Sequence, residues 1–466
     1  MNRSNLGSFF VIGGYLFYSM TKTINTFVTL PPKLIEDFEK IQFSKIERNY
    51  ALKFIDNLMK RSFREYGMID GFVETPKNYF RKVFNSQYLI WLNKLIDAKI
   101  IISNLSYSNS ISNTYSKSYS LNTKYTSIPI MWLTFDENPL KLVPYTFKIS
   151  KETEDEKLDL QRVVEDLNVI KADRKILMQV ASNEIEKVKI EDFKTNELVS
   201  RDSFNVSFGG DKKYWMSKQK AIEKSLELDK TLIQDENKFY IIDEYEFILR
   251  KKTAMIQSYQ DAINKLVNKK FYGKRNSTNS RLDTNLTNMA KVLTNEVCLK
   301  NGFVQFDLCN SQFAILSDLL ENKLNTEDFI QFKTHSYNGT LYEYIMEELK
   351  LETRLDAKKM MFELMFSKED YKSPLKDKLK ILFPSVVEVV DAYKKENGYN
   401  KFSISLQQRE SEIFIDGLWK QIKKKKIFCT PKHDCLIVKE KDANNVEGII
   451  KKYFKKIDFK GKIIKE

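Results

Sequence analysis

The stretch FVQFD at residues 303–307, with the run from Ser311 to Leu320 that follows it, decides the fold. The first five residues predict a short apolar strand, and the amphipathic spacing after them predicts a helix. Asp307 therefore stands at the tip of a strand, where we expect its carboxylate to be exposed. From Tyr272 onward strand-like and helical runs alternate, which predicts an α+β domain.

A second acid lies far downstream, within the sequence IFCTPKHDCLIV at residues 427–438. This pattern predicts a strand, a turn and a strand, with His433 and Asp434 at the bend. Two such carboxylates can hold two Mg²⁺ ions, or Mn²⁺ in their place, about 3.5 to 4 Å apart. Ions held in this way lower the pKa of an attacking 3′-hydroxyl and neutralise a leaving pyrophosphate. Taken singly, each aspartate would be interpreted as a loop acid.

Between the two acids, Arg354, Lys358, Phe362 and Phe366 follow one another at steps of four residues. On a helix these side chains share one face. Two cations followed by an aromatic surface suit a nucleoside triphosphate, because cations pair with phosphates and rings stack on a base. The alternative for this segment alone is an amphipathic core helix with solvated basic residues.

In this order, the three elements resemble motifs A, B and C of the family A DNA polymerases, which include DNA polymerase I, and of their relatives, the single-subunit phage RNA polymerases. The resemblance covers roughly Lys274 to Asp442. It implies a right-hand polymerase with palm, fingers and thumb. It also implies that Asp307, Asp434 and the backbone carbonyl of Leu308 bind the metal ions.

The same resemblance implies roles for the residues that meet the nucleotide. Arg354 and Lys358 would bind the triphosphate, and Phe362 would stack on the base. Gln312 stands where the DNA enzymes carry a glutamate that excludes a ribose 2′-hydroxyl. Phe366 replaces a tyrosine and lacks the hydroxyl with which the RNA polymerases sense the ribose, and this favours deoxynucleotides.

Three further residues are implied to contact nucleic acid. Arg281 lies in the run 280–288, which is similar to the family's duplex-contacting Gly-Arg-Leu segment. Gln407, with Glu412 after it, resembles the Ile-Gln-Gly-Thr-Ala-Ala-Asp helix whose glutamine reads the minor groove. His433 is expected near the primer end.

The remaining sequence predicts a chain of three parts. Residues 1–130 combine helices with a polar two-stranded ribbon, an order typical of a winged helix, and a small helical domain with a solvated hairpin is the alternative. Residues 131–270 form a linker and a thumb-like region. From Lys151 to about Lys270, the Lys- and Glu-rich composition predicts long exposed helices. Residues 271–466 form palm and fingers. We expect no exonuclease domain, since Asp136-Glu137 lacks an Asp-x-Glu spacing.

Composition favours a phosphate-rich partner. The 466 residues are 42% hydrophobic, as in an ordinary globular protein, and 77 Lys and Arg against 63 Asp and Glu leave a net charge of +14. Such an excess is typical of partners of DNA, RNA or anionic membranes. Four cysteines without a CxxC pair and two histidines cannot form a zinc finger, and they favour a cytoplasmic location. The apolar run from Phe9 to Met20 is too short to span a bilayer.

The sequence therefore predicts a template-directed DNA polymerase that uses nucleoside triphosphates and a primer–template, with no membrane association and with accessory replication proteins as further partners. Its compactness and its winged-helix-like region suggest service to a phage, a plasmid or another mobile element. Two alternatives stay open. One is a single-subunit RNA polymerase, and the other is a replication initiator or DNA-binding protein that does not catalyse.

Overall fold

The computed structural model describes residues 22–66, 72–75, 77–84, 87–104, 108–110, 113–115, 117–125, 141–149, 154–193, 203–208, 213–235, 238–371 and 373–466. The run from Phe9 to Met20 and the pair Asp136-Glu137 lie outside these residues. Helices predominate and accompany several small sheets, so the predicted α+β class is confirmed. Within the described ranges, no helix combines the length and the apolar character that a membrane crossing requires.

The N-terminal part has its own hydrophobic core, in which the rings of Phe54, Phe80 and Trp91 pack together. Its first and last strands pair antiparallel, with Lys22 opposite Ile149. This pairing carries the N-terminal unit past residue 130, where the sequence predicts a boundary. The elements of the unit are β1 (Lys22–Leu30), α1 (Pro32–Glu39), α2 (Lys45–Tyr66), β2 (Val73–Glu74), α3 (Lys77–Phe84), α4 (Tyr88–Asp97), β3 (Ile101–Asn104), β4 (Ser108–Ser110), β5 (Asn113–Tyr115), β6 (Ser118–Leu121), a 3₁₀ turn (Thr123–Tyr125) and β7 (Lys141–Ile149).

The polar ribbon predicted in this unit is present. Strand β3 pairs antiparallel with β6, and the short strands β4 and β5 pair with each other between them in the chain. Strand β2 adds to the other edge of β6, which makes a three-stranded sheet. Two helices followed by a ribbon is the order that the sequence predicts.

The middle part contains a four-stranded sheet, and the prediction of long helices from Lys151 to about Lys270 is wrong for the four strands that lie between residues 203 and 242. The strand order is β10-β11-β8-β9. Runs rich in aromatic and β-branched residues, such as KFYII at 238–242, favour strands more strongly than the surrounding Lys and Glu favour helix. The elements are α5 (Glu154–Asn168), α6 (Arg174–Glu186), a 3₁₀ turn (Ile190–Asp192), β8 (Ser203–Ser207), β9 (Lys213–Ser217), α7 (Lys218–Glu227), β10 (Thr231–Asp235), β11 (Lys238–Ile242) and α8 (Glu244–Val267).

The C-terminal part is built on an antiparallel sheet of order β15-β16-β14-β17. The elements are β12 (Gly273–Arg275), β13 (Leu282–Thr284), α9 (Lys291–Asn301), β14 (Phe303–Leu308), α10 (Ser311–Leu320), α11 (Glu327–Asn338), α12 (Leu341–Leu349), α13 (Arg354–Phe366), α14 (Pro374–Leu382), α15 (Pro384–Asn397), α16 (Tyr399–Ser411), a π-helical segment (Glu412–Trp419), α17 (Lys420–Lys424), β15 (Cys429–Lys432), β16 (Cys435–Lys439), a 3₁₀ turn (Glu440–Asp442), α18 (Ala443–Lys456) and β17 (Ile463–Lys465). The predicted strand at 303–307 and the predicted helices at 311–320 and 354–366 are all present.

The middle and C-terminal parts share one hydrophobic core. It extends from Leu160 in α5 to Phe459, and it includes residues of α6, α8 and β14. The ammonium group of Lys423 in α17 donates to both carboxylate oxygens of Asp166 in α5 at 2.7 Å, in a site where both side chains are largely buried. Amphipathic helices of the middle part thus bury their apolar faces against the C-terminal sheet.

Two glycines fix the surroundings of β14. Gly302 ends α9 with a φ of 59°, a left-handed conformation that lets the chain turn directly into the strand. Gly339 ends α11 with a φ of 79°, and a Cβ atom there would lie 2.7 Å from the Cβ atom of Cys309. Only glycine fits this contact, which holds the end of α11 against the turn between β14 and α10.

Candidate active site

The two predicted acids lie side by side at the end of the C-terminal sheet. Strands β14 and β16 are neighbours, with Asp307 opposite Cys435. The backbone N–H of Leu308 donates to the carbonyl oxygen of Asp434 at 3.1 Å, and this bond ties the turn to the tip of β14. Residues separated by more than a hundred positions in the sequence are therefore brought together by the pairing of the strands.

The electrostatics of this pair suit a divalent cation. Burial, and then the negative charge of Asp434, raise the pKa of Asp307 to about 7, and Glu466 adds to the effect. Among the described residues, neither Asp307 nor Asp434 forms an ion pair. Mg²⁺ is usually bound by one or two carboxylates together with substrate phosphates, and this donor set offers that number. Within the described part of the chain, no group of three or more His, Cys, Asp or Glu side chains is arranged to hold a metal.

The turn that carries Asp434 has a constrained backbone. Residues 433–434 connect β15 to β16, whose last pair is Lys432 opposite Cys435, and His433 has a φ of 58°. Two-residue hairpin turns favour such left-handed conformations because their twist matches that of the strands. Burial lowers the pKa of the imidazole of His433, and the positive charge of Arg281 lowers it further. His433 thus lies close enough to Arg281 for the positive charge of Arg281 to act on the imidazole.

A third carboxylate, which the sequence does not predict, lies near enough to Asp434 to feel its charge. Glu410 in α16 is 1% exposed. Its Oε2 atom accepts hydrogen bonds from the guanidinium of Arg281 at 2.8 Å, from the hydroxyl of Ser311 at 3.3 Å and from the side-chain amide of Gln312. Burial, and then the charge of Asp434, raise the pKa of Glu410 to about 7.

Nothing in the local sequence identifies Glu410. Aligned through Gln407, it falls at the first alanine of the Ile-Gln-Gly-Thr-Ala-Ala-Asp pattern, and this departure is the one signal that could have found it. Glu412, the acid that matches the end of the pattern, lies instead at the surface beside Arg409, at 3.2 Å.

The predicted nucleic-acid residues Arg281 and Gln407 are brought together at this site. The side-chain oxygen of Gln407 accepts a hydrogen bond from the amide of Asn279 at 2.9 Å. Its neighbour Gln408 donates to the carbonyl oxygen of Thr278 at 2.8 Å. Helix α16 is thereby fixed to the loop that carries Arg281.

The predicted stripe on α13 is an exposed face of the helix. Arg354 and Lys358 are exposed, and Phe362 and Phe366 are 44% and 48% exposed with ring centroids 5.8 Å apart. The opposite face is buried and consists of Ala357, Met360, Met361, Leu364 and Met365. The prediction that the four side chains share a face is confirmed.

The two cations of the stripe have different surroundings. The guanidinium of Arg354 donates to Glu343 at 2.7 Å and lies 4.6 Å from the ring of Tyr342. The ammonium of Lys358 lies 5.4 Å from the ring of Phe362 and forms no ion pair with any described residue. Among the described residues, no hydrogen bond or ion pair joins the stripe to Asp307, so the structure does not bring the helix and this acid into direct contact.

A search with models of known protein families finds no match to this chain. No curated protein matches its sequence significantly.

Proposed function

We propose that the protein is a template-directed DNA polymerase that adds deoxynucleotides to the 3′ end of a primer. The observation that carries the proposal is the pair of neighbouring acids, Asp307 and Asp434, which form no ion pair with any described residue. Burial and the charge of Asp434 disfavour the charged form of Asp307, and a divalent cation bound between the two acids would favour it. The C-terminal sheet would then be the palm of a right-hand polymerase.

The metal site of this proposal consists of Asp307, Asp434 and the carbonyl oxygen of Leu308. Bound Mg²⁺ would supply Lewis-acid chemistry, activating the primer hydroxyl and stabilising the pyrophosphate that leaves. The protein itself fixes where the two carboxylates lie. Asp307 is fixed by β14, and Asp434 is fixed by the backbone bond to Leu308.

The exposed face of α13 supports the second half of the proposal, which is binding of the nucleotide. Lys358, without an ion-pair partner among the described residues, would pair with the triphosphate, and Arg354 would join it by exchanging Glu343 for phosphate. Exposed rings such as Phe362 and Phe366 are costly to leave in water unless a flat partner covers them, and a base is such a partner.

Nucleic acid would contact the other side of the site. Arg281, Gln407 and His433 lie around Glu410 and the turn of Asp434, where the primer end must be placed. The net charge of +14 supports sequence-independent binding to phosphates. The helices and ribbon of the N-terminal unit would add a winged-helix-like contact to template DNA, and the middle part would act as a thumb.

The proposal is tested by extension of a labelled primer on a DNA template with Mg²⁺, with deoxynucleotides and ribonucleotides supplied in separate reactions. We expect extension with deoxynucleotides, and loss of at least about a thousandfold in the rate for Asp307→Ala and Asp434→Asn, with little change in duplex affinity. Asp458→Asn is the matched control, because the side chain of Asp458 is 89% exposed.

The possible outcomes separate the alternatives. Extension with ribonucleotides alone would favour a single-subunit RNA polymerase. Duplex binding without synthesis from either substrate would favour a non-catalytic DNA-binding protein, and full activity of the Asp434→Asn protein would refute the assignment of the metal site.

A further inference from the structure

We infer that Glu410 is the positioning residue for selection of the sugar, because it holds the amide of Gln312 at the site. The inference rests on the proposed function, since it concerns which nucleoside triphosphate the polymerase accepts. Glu410 itself would not contact the substrate. It would act through Gln312, the residue that stands at the sugar-excluding position of motif A.

The contact between the two side chains has a defined direction. The Oε2 atom of Glu410 accepts from the guanidinium of Arg281, which can only donate, and the NH₂ group of Gln312 donates to the same oxygen. The carbonyl oxygen of the same amide therefore points away from Glu410. Gln312 is partly exposed whereas Glu410 is buried. The buried acid thus fixes the orientation of a side chain that reaches the surface of the site.

An uncharged side chain such as that of Gln312 can exclude a ribose only if it is held in place. A free glutamine side chain samples many rotamers, and ordering it costs conformational entropy. A loosely held amide could move aside for a 2′-hydroxyl. The hydrogen bond to a charged and buried partner restricts this movement, so Gln312 can exclude a ribose by its position alone.

Arg281 makes the same carboxylate oxygen a link between two functions. Its guanidinium donates to the Oε2 atom that also accepts from Gln312. Arg281 is the proposed contact to the primer–template duplex. Glu410 therefore connects Arg281, the proposed contact to the duplex, with Gln312, the proposed sugar-selecting residue. A change in the position of Arg281 alters the hydrogen bonding that holds Gln312.

Packing alone does not explain the choice of glutamate here. Burying a carboxylate costs more free energy than burying an apolar side chain of similar size. The second oxygen of Glu410, Oε1, is buried and has no hydrogen-bond partner among the described residues. The acid thus lies at a position where packing alone would favour an apolar residue.

The experiment measures kcat/KM for a deoxynucleotide and for the matching ribonucleotide. The variants are Glu410→Ala, Glu410→Gln, Gln312→Ala and the double variant Glu410→Ala/Gln312→Ala, with Glu412→Gln as the matched control on the neighbouring turn. We expect Glu410→Ala to lower the ratio of the two kcat/KM values at least about tenfold, the effect of one lost hydrogen bond to a charged group. Glu410→Gln should retain part of the ratio, because its amide oxygen can still accept one bond.

The double variant gives the decisive comparison. If Glu410 acts through Gln312, the double variant has the same ratio as Gln312→Ala, because the two effects are not additive. Equal losses with both nucleotides in the Glu410 variants, or additive effects in the double variant, would overturn the inference. Thermal unfolding checks that each variant folds. If the Glu410→Ala protein does not fold, the near-isosteric Glu410→Gln protein takes its place in the comparison. Absence of extension by the wild-type protein would instead reject the proposed function, and this inference with it.

Discussion

Individual residues in this site are held in an arrangement that favours their protonated forms. Asp307 and Glu410 lie near Asp434, and burial together with that negative charge raises both pKa values to about 7. The ordinary values are 3.8 and 4.5. The folded protein therefore binds protons more tightly at these two groups than the unfolded chain does.

This difference predicts how stability depends on pH. Because the folded-state pKa values are raised, metal-free protein should lose stability as the pH rises from about 4 to about 7, and little more above that. Between pH 5.5 and 8 we expect each of the two groups to contribute a loss of about 2 kcal/mol to the free energy of unfolding, measured with denaturant. The Asp307→Asn protein should lose less over the same interval. An identical pH dependence in both proteins would contradict the assigned shift of Asp307.

The exposed stripe on α13 gives a second prediction for single residues. Lys358→Ala should raise KM for the nucleotide about tenfold and leave duplex affinity and stability unchanged, because it removes one cation from an exposed position. Lys359→Ala is the matched control, since Lys359 lies next to it but pairs with Asp356 at 3.5 Å. An effect of Lys358→Ala confined to duplex binding would refute a role at the triphosphate.

At the same scale, the sequence indicates the two acids and the stripe but not Glu410. Asp307 and Asp434 each stand at the end of an apolar run, and the stripe has a regular period, so local patterns are sufficient. The buried position of Glu410 depends on its hydrogen bonds with Ser311, Gln312 and Arg281, which are distant in the chain. Burial of a glutamate depends on such long-range partners, and one sequence does not reveal them.

Among the secondary structure elements, the π-helical segment Glu412–Trp419 packs closely against α18. A Cβ atom on Gly417 would overlap the ring and hydroxyl of Tyr453. Gly417→Ala should therefore lower the free energy of unfolding by about 1–3 kcal/mol through overpacking. The measurement is denaturant unfolding of the variant and of the wild type.

A second glycine in the same region is the control. Gly448 lies on the exposed side of α18, and a Cβ atom there meets nothing within 4 Å. Gly448→Ala should be neutral or stabilising by up to about 1 kcal/mol, because alanine favours helix more than glycine does. Equal destabilisation by both substitutions would mean that close packing at Tyr453 is not the cause.

The elements show why some predictions succeeded and others were wrong. Strand β14 and helices α10 and α13 begin and end where local signals place them, with apolar runs, a glycine turn and the threonine cap of Thr353. The sheet from 203 to 242 was missed because its strands are short and lie within a charged, helix-favouring composition. Its strands are stabilised by pairing with one another, which composition does not report.

For the whole molecule, the hydrophobic cores are more informative than the composition. The N-terminal cluster is separate from the large cluster that joins α5, α6 and α8 to the C-terminal sheet. The sequence predicts divisions near residues 130 and 270, yet the second of these separates elements that share a core. The apolar faces of Lys- and Glu-rich helices pack against distant residues, so composition alone underestimates their contacts.

The separate N-terminal core predicts the result of truncation. Removal of residues 1–150 should leave primer extension measurable, because the large core and the candidate site remain whole. Removal of residues 1–125 should leave extension as well but reduce solubility, since β7 would lose its partner β1 and expose a strand edge. The measurements are extension activity and sedimentation of both truncated proteins. A folded but inactive protein lacking 1–150 would show that the N-terminal unit takes part in synthesis.

The pairing of β1 with β7 also has a consequence for how such a chain could evolve. The first strand of the unit, β1, and its last strand, β7, pair antiparallel, so that Lys22 lies opposite Ile149. A segment whose two ends meet in this way can be exchanged by recombination as a cassette, because any replacement with neighbouring ends fits the same junction. Different N-terminal units could thus be joined to unchanged middle and C-terminal parts.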